Sequence, residues 1–328
     1  MLLNLARSRR VLFFGGKGGV GKTTVASATA LALANGGARV LLVSTDPAHN
    51  LGHLWGRPVG PEPVQLAPGL RAMELDPAET VARHLQDVTA NLRRLMPVHL
   101  GSEVDRHMAL ARDAPGMAEA ALLERMAELA AAREPDEYLI LDTAPTGHTV
   151  QLLALPELMA AWTDGLLRQR DRAERLGERL RRLADDRRGG SALFGSGGDA
   201  GSDRDGRIRE LLNRRRARLA GLRQTLVDQT TTAFVMVLTA ERLPVLETIE
   251  LHASLTRLGV PVGGMVVNKR IPPGLGDFME TRRQQESQHL QALRAALPET
   301  PLCEVFMAAR DIVGREALTA FASALGDA

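Results

Sequence analysis

The sequence predicts an open, doubly wound α/β fold, in which helices cover both faces of a mostly parallel sheet. A glycine-rich stretch at 15–21 stands between an apolar run at 11–14 and a run of small and aliphatic residues at 26–34 that suits a helix. Two more apolar runs, 40–43 and 138–141, are followed by aspartates, as expected of buried parallel strands that carry ligand-binding groups at their carboxyl ends. The chain has 328 residues, 45% of them hydrophobic, which is enough for one large domain with its own core.

Composition excludes several classes of protein. The formal net charge of +2 does not by itself indicate a polyanionic partner. The single cysteine, Cys303, rules out an internal disulfide and a metal centre built from several thiolates of this chain. No apolar run approaches the roughly 18 residues of a membrane span, and the first residues are too short for a signal peptide. We therefore expect a soluble, cytoplasmic protein without an integral membrane segment.

The glycine-rich stretch has the spacing G-x-x-x-x-G-K-T of a phosphate-binding loop, which Gly16, Gly21, Lys22 and Thr23 satisfy. Glycines let several backbone N–H groups approach one anion, and the helix that follows adds its dipole. In such a loop the lysine contacts the β- and γ-phosphates and the hydroxyl binds Mg²⁺. The residues expected to bind the nucleotide here are Gly16, Gly18, Gly19, Val20, Gly21, Lys22, Thr23 and Thr24.

Two aspartates are candidates for the remaining chemistry. Asp142 ends an apolar strand and can hold Mg²⁺, usually through water, because this ion keeps much of its hydration. Asp46 lies in a proline-containing turn that suits a switch ordered around the γ-phosphate, and we expect it to position or deprotonate the attacking water. With Thr23, both aspartates are candidate Mg²⁺ ligands. The alternative for each is a strand-end cap or a turn residue.

Three motifs resemble those of a known family. The loop contains an early lysine, Lys17, and its sequence K-G-G-V-G-K-T resembles the deviant Walker A loop of the ParA, MinD, nitrogenase iron protein and ArsA class. The sequences S-T-D-P-A-H-N at 44–50 and D-T-A-P-T-G-H-T at 142–149 resemble switch I and switch II of the ArsA/Get ATPases. ParA and MinD share the first motif only. Further similar segments are 72–77, 115–120 and 238–244.

The resemblance implies a SIMIBI-like P-loop ATPase, a single domain over 1–328 that uses ATP and Mg²⁺ and closes as a homodimer on ATP. In this family the early lysine crosses the dimer interface, so Lys17 would contact the nucleotide of the opposite subunit. The alternative is a solvated loop lysine. The catalytic residues would be Lys17, Lys22 and Asp46, with Asp46 as the catalytic carboxylate.

The resemblance also implies contacts to the adenine base. Asn268 follows the apolar run 262–267 and matches the family's adenine-reading asparagine, and an amide can pair with both N6 and N7 of adenine. The alternative is a turn asparagine after a strand. Glu241 is a further candidate nucleotide contact, and Pro301, at the start of the last predicted strand, would contribute a second wall.

Two helical regions, 79–133 and 157–231, do not fit a doubly wound core and are expected to form an inserted helical subdomain. The second should be a helical hairpin because its leucines recur at helical spacing, and its Gly/Ser-rich tip, 189–206, should be flexible. In the targeting branch of the family this region receives a client's membrane helix. Here both arms are rich in arginine. A solvated helix pair or contact with anionic lipid therefore remains an alternative, whereas nucleic acid is disfavoured because no aromatic residues are interleaved.

The expected function is thus an Mg²⁺-dependent ATPase whose closing and opening as a homodimer controls a client, namely the helix of a tail-anchored membrane protein. One alternative is an ATPase that energises an arsenite or anion efflux channel, so that the partner would be a membrane channel. Cys303 alone cannot form the three-thiolate site of the arsenite pump. Another alternative is a positioning ATPase like MinD or ParA.

Overall fold

The computed structural model describes residues 1–46, 50–95, 101–143 and 199–327. The strands are β1 (Val11–Gly15), β2 (Arg39–Ser44), β3 (Val64–Ala67), β4 (Leu70–Glu74), β5 (Glu137–Asp142), β6 (Thr232–Thr239), β7 (Val262–Arg270) and β8 (Leu302–Phe306). The helices are α1 (Leu2–Ser8), α2 (Lys22–Asn35), α3 (Asn50–Trp55), α4 (Pro77–Leu95), α5 (Gly101–Arg112), α6 (Met117–Ala132), α7 (Asp199–Val227), α8 (Arg242–Arg257), α9 (Asp277–Ala296) and α10 (Gly314–Asp327).

These strands form one eight-stranded sheet with the order β3-β4-β2-β5-β1-β6-β7-β8. Every neighbouring pair is parallel except β3, which runs antiparallel to β4 at one edge. All residues of β1 and β5 are buried, as expected where helices cover both faces of a sheet. The predicted fold class is confirmed. Strands β3 and β6 were not among the predicted strands.

Two hydrophobic cores lie on opposite faces of the sheet. On one face, α1, α2, α3 and α10 pack over β1, β2 and β4. Helix α2 is rich in alanine, and residues such as Ala26, Ala28 and Ala30 are fully buried, because small side chains let this helix lie between the sheet and α10. On the other face, α6, α7, α8 and α9 contribute the buried side chains.

The predicted helical region before β5 consists of α4, α5 and α6. Helix α5 ends at Arg112 and α6 begins after Gly116, which has a φ of 84°. Residues 96–100, between α4 and α5, lie outside the described part of the chain. Within the described residues, no helix has both the length and the apolar character needed to cross a membrane.

The second helical region is described only from Asp199 onward, as helix α7. Residues 199–206 of the expected tip belong to this helix. The rest of the expected tip, 189–198, and the first arm of the hairpin lie outside the described residues.

Helix α7 is also more than an exposed arm. Its residues Leu219, Leu222 and Leu226 are buried against α6 in the core. Two of its arginines pair with glutamates of α6: Arg215 with Glu124, and Arg218 with Glu128 at 3.1 Å. The C-terminal half of α7 is therefore anchored to the core of the domain, and part of its positive charge is neutralised there.

Candidate functional site

The site lies where three parallel strands end side by side. In the pairing of the sheet, Asp142 of β5 stands opposite Ser44 of β2 and Phe14 of β1. The carboxyl ends of adjacent parallel strands meet at one edge, so this register brings the glycine-rich loop, Asp46 and Asp142 together. Thr143, just after β5, links this strand end to β1, since its hydroxyl donates to the carbonyl of Phe14 at 2.9 Å.

The loop between β1 and α2 has a backbone that requires glycine. Gly16 has a φ of 152°, and a Cβ there would lie 2.0 Å from the carbonyl oxygen of Val237. Gly21 has a φ of 95° at the start of α2. Gly18 and Gly19 are exposed at the mouth of the loop, whereas Val20 is buried. The loop can therefore present backbone N–H groups to an anion without side chains in the way.

The two lysines of the loop occupy different environments. Lys22 is buried; its Nζ donates to the carbonyl of Lys17 at 3.3 Å and lies 4.0 Å from Asp46 Oδ2. The Lys17 side chain, 37% exposed, instead forms a 2.7 Å ion pair with Glu247 of α8, which is 35% exposed. Lys22 is thus enclosed beside the strand-end aspartates, whereas Lys17 lies at the surface.

The carboxylate of Asp142 accepts hydrogen bonds from two hydroxyl groups of the site. The Thr23 hydroxyl donates to Asp142 Oδ2 at 2.6 Å, and the Ser44 hydroxyl donates to the same oxygen at 3.2 Å. Asp142 is completely buried, and its Oδ1 has no hydrogen-bond partner among the residues that the structure describes. Burial raises the pKa of Asp142 to about 6, although the Thr23 hydroxyl and the nearby Lys22 ammonium oppose the shift.

This pKa predicts that the protein free of nucleotide and metal loses stability as pH rises. The folded state raises the pKa of Asp142 from 3.8 to about 6, so it binds this proton more tightly than the unfolded chain. The contribution is fully present below about pH 4 and disappears above about pH 6, a loss of about 3 kcal/mol. Urea unfolding of the wild type and of Asp142→Asn between pH 4.5 and 7.5 measures it. The variant should lack this component, and identical pH profiles would contradict the assignment.

Asp46 lies just beyond β2 and is partly buried. Its backbone N–H donates to the Ser44 hydroxyl at 3.4 Å, and its carboxylate faces Lys22. Ser44 therefore contacts both strand-end aspartates, a role that the sequence did not single out. The remaining residues of the two switch motifs, 47–49 and 144–149, lie outside the described residues.

The candidate base contacts are divided between the two ends of the sheet. Asn268 lies inside β7, not in a turn after it, and its Nδ2 donates to the carbonyl of Val20 at 2.9 Å. Glu241 precedes α8 and lines a cavity of about 710 Å³ with Lys269, Phe278 and Met307. Both candidates are thus near the loop end of the sheet.

Pro301 is at the wrong end of its strand, which corrects the prediction. Its carbonyl accepts a hydrogen bond from Met265 at 2.8 Å at the start of β8, whereas Met307, just after β8, bonds to Arg270 at the loop end. At about 3.3 Å per residue, the six steps from Pro301 to Met307 separate the two positions by roughly 20 Å. Pro301 therefore cannot line a base site beside Asn268. The end of the sheet that holds the glycine-rich loop is reached by residues that follow a parallel strand. Met307, which follows β8, is such a residue.

A glycine loop that caps a helix beside two strand-end aspartates of a parallel sheet defines a P-loop nucleoside triphosphatase. The family model described as anion-transporting ATPase matches residues 9–327. The chain belongs to this family and is an ATPase, which confirms the resemblance seen in its motifs.

Individual relatives agree with this assignment. A protein of Aquifex aeolicus, provisionally named arsenical pump-driving ATPase 2, is 28% identical over 96% of this chain and 99% of its own length. The arsenical pump-driving ATPase of Acidiphilium multivorum is 30% identical over 94% of this chain, which spans only 48% of that protein. The ATPase GET3 of Malassezia globosa is 31% identical over 86% of this chain and 78% of its own length.

Proposed function

We propose that this ATPase is Mg²⁺-dependent, works as a homodimer, and uses ATP binding and hydrolysis to control a client, the hydrophobic helix of a tail-anchored membrane protein. The position of Lys17 is the observation that supports the proposed dimer. Lys17 lies at the surface and pairs with Glu247, whereas Lys22 is enclosed beside the aspartates. In the family that the chain belongs to, this early lysine serves the opposite subunit.

The surface around Lys17 supports a second copy as its partner. Leu243 shares a face of α8 with Leu246 and with Glu247, because residues three and four apart are neighbours on a helix. The exposed fractions of Leu243 and Leu246 are 61% and 47%. Exposed apolar side chains beside a charged pair are typical of a surface that binds another protein. A second copy packed on this surface of α8 would bring its own Lys17 close to it.

The buried residues suit phosphoryl transfer. Lys22 would bind the β- and γ-phosphates as an enclosed cation, and the loop N–H groups would hold the phosphate oxygens. Asp46 would orient the attacking water or accept its proton, because it lies at the strand end beside Lys22. Lys17 of the partner would neutralise negative charge on the transferred group, as an arginine finger does.

The residues present also fit Mg²⁺. Within the described part of the chain, Asp142 Oδ1 is a buried carboxylate oxygen without a hydrogen-bond partner, next to the Thr23 hydroxyl. Oxygen ligands of this kind are those that Mg²⁺ prefers. Thr23 and Asp142 would hold the ion, Asp142 through water, with Asp46 close by. The ion would supply positive charge at the β- and γ-phosphates.

The client is inferred from the relatives named GET3. A direct test uses purified Asp46→Asn protein with ATP and Mg²⁺, mixed with a fluorescent synthetic peptide of about 20 apolar residues, the length of one membrane span. We expect the peptide to elute with the dimer in ATP and to dissociate in ADP. A matched peptide with two central aspartates is the control. If a dimer forms in ATP and still fails to retain the apolar peptide, the client proposal is wrong.

A second candidate is an ATPase that drives an anion or arsenite channel, which the family description and the relatives named arsenical pump-driving ATPases favour. Arsenite is recognised by several thiolates, and Cys303, the one cysteine of the chain, is buried within β8. ATPase activity stimulated by arsenite would support this candidate instead of the client proposal.

A further inference from the structure

The carboxyl end of β7 contacts the phosphate-binding loop through two consecutive side chains. Asn268 donates from Nδ2 to the carbonyl of Val20 at 2.9 Å, and Lys269 donates from Nζ to the carbonyl of Gly19 at 2.8 Å. The two acceptors are also consecutive in the chain. One strand end therefore holds two adjacent carbonyls of a loop whose function depends on the direction of its peptide groups.

Two consecutive residues of a regular strand point to opposite faces and cannot both reach the same loop. Lys269 does not follow the alternation of a regular strand because its φ is 57°. This is the one positive φ at a non-glycine residue in the described part of the chain. The pairing of β7 with β8 is irregular at the same point, between Val267 and Arg270. Left-handed backbone at a lysine is unfavourable, and such strain is typical of positions with a functional role.

The composition of the chain singles out the same residue. Only three of its 41 basic residues are lysines, Lys17, Lys22 and Lys269, and all the others are arginines. Lys17 and Lys22 belong to the loop, and Lys269 bonds to it. A lysine ammonium is a compact donor on a flexible stem that can meet a single carbonyl, whereas a guanidinium is a wider planar fork.

We propose that Lys269 is a positioning residue for the nucleotide: together with Asn268 it fixes the carbonyls of Gly19 and Val20, and thereby holds the loop in its anion-binding conformation before ATP arrives. Gly19 and Gly21 have φ values of 81° and 95°, a region that glycine enters and leaves readily. A loop built on such residues needs external restraint to keep one conformation. The inference rests on the proposal that this loop binds the phosphates of ATP.

Hydrogen exchange of the nucleotide-free protein tests the restraint itself. In Lys269→Ala, amides 16–21 should exchange at least tenfold faster than in the wild type, while amides of α2 and of the central strands keep their rates. Lys269→Gly relieves the backbone strain without restoring the contact, so it should also show the faster loop exchange. Unchanged loop exchange in both variants would overturn the proposal, whatever the protein binds.

Binding of a fluorescent ADP analogue links the restraint to function. We expect about a tenfold higher Kd for Lys269→Ala, arising mainly in the association rate, with the same dependence of Kd on salt as in the wild type. A weaker salt dependence would mean that Lys269 acts through its charge and would overturn the positioning role. Wild-type Kd values in Lys269→Ala or Lys269→Gly would also overturn it. A wild-type protein that binds no analogue contradicts the proposed function, whereas the exchange experiment still decides the role of Lys269.

Discussion

Replacing Asp46 with asparagine is expected to lower ATP hydrolysis by a factor of 10²–10⁴ while ATP affinity stays within a few fold of the wild type. A positioned general base contributes about that much to a rate, and asparagine keeps the size of the side chain but cannot accept the proton. Asp46 lies 4.0 Å from Lys22 Nζ, close enough to the expected γ-phosphate position to act on its water. Single-turnover hydrolysis together with calorimetric binding separates the two effects.

A matched control is Asp136→Asn. Asp136 is an exposed aspartate, 68% accessible, paired with Arg39 at the opposite end of the sheet. Its replacement should leave hydrolysis unchanged. If Asp46→Asn hydrolyses ATP as fast as this control, Asp46 is a turn residue and the base must be sought among the switch residues outside the described part of the chain.

Replacing Lys22 with alanine is expected to abolish measurable nucleotide binding, with a loss of at least 10²-fold in affinity. Lys22 is only 4% exposed, so its charge acts on a bound phosphate with little screening by water. Its removal also leaves Asp46 without the cation that it faces. Titration calorimetry with ADP and with an ATP analogue measures the loss. Retained affinity would mean that the loop does not bind the phosphates.

Lys17→Ala is the informative comparison for this result. Because Lys17 pairs with Glu247 at the surface, its loss should leave nucleotide affinity near that of the wild type. Hydrolysis and ATP-dependent dimerisation, measured by light scattering, should fall together if this lysine serves the opposite subunit. A variant that still forms the dimer and hydrolyses ATP normally would make Lys17 an ordinary surface residue.

The sequence predicts those parts of the site whose residues are close together in the chain. Gly16, Lys22 and Thr23 stand in one short motif, and Asp142 ends an uninterrupted apolar strand, so their neighbourhood follows from one strand, one turn and one helix. The fold class follows for the same reason, since parallel strands buried on both faces read as apolar runs. The family assignment rests on the same motifs.

Contacts between distant segments required the structure. The ion pair of Lys17 with Glu247 depends on where α8 packs. The contact of Lys269 with the loop depends on the left-handed backbone of Lys269, which the hydrophobic pattern of the sequence does not predict. Pro301 was assigned from the family resemblance, without regard to which end of its strand faces the loop, and it lies at the start of β8. The direction of β8 decides the matter.

The three lysines of the chain lie in the glycine-rich loop or, as Lys269, form a hydrogen bond to it, and this distribution has a chemical consequence. Apart from the amino terminus, every primary amine of the chain belongs to Lys17, Lys22 or Lys269. Acetylation, amine-directed cross-linking or coupling to an amine-reactive support would therefore modify the nucleotide site itself, whereas the many arginines of the surface would remain untouched. We therefore expect reagents of this kind to lower ATP hydrolysis, and bound nucleotide to shield the three lysines from them.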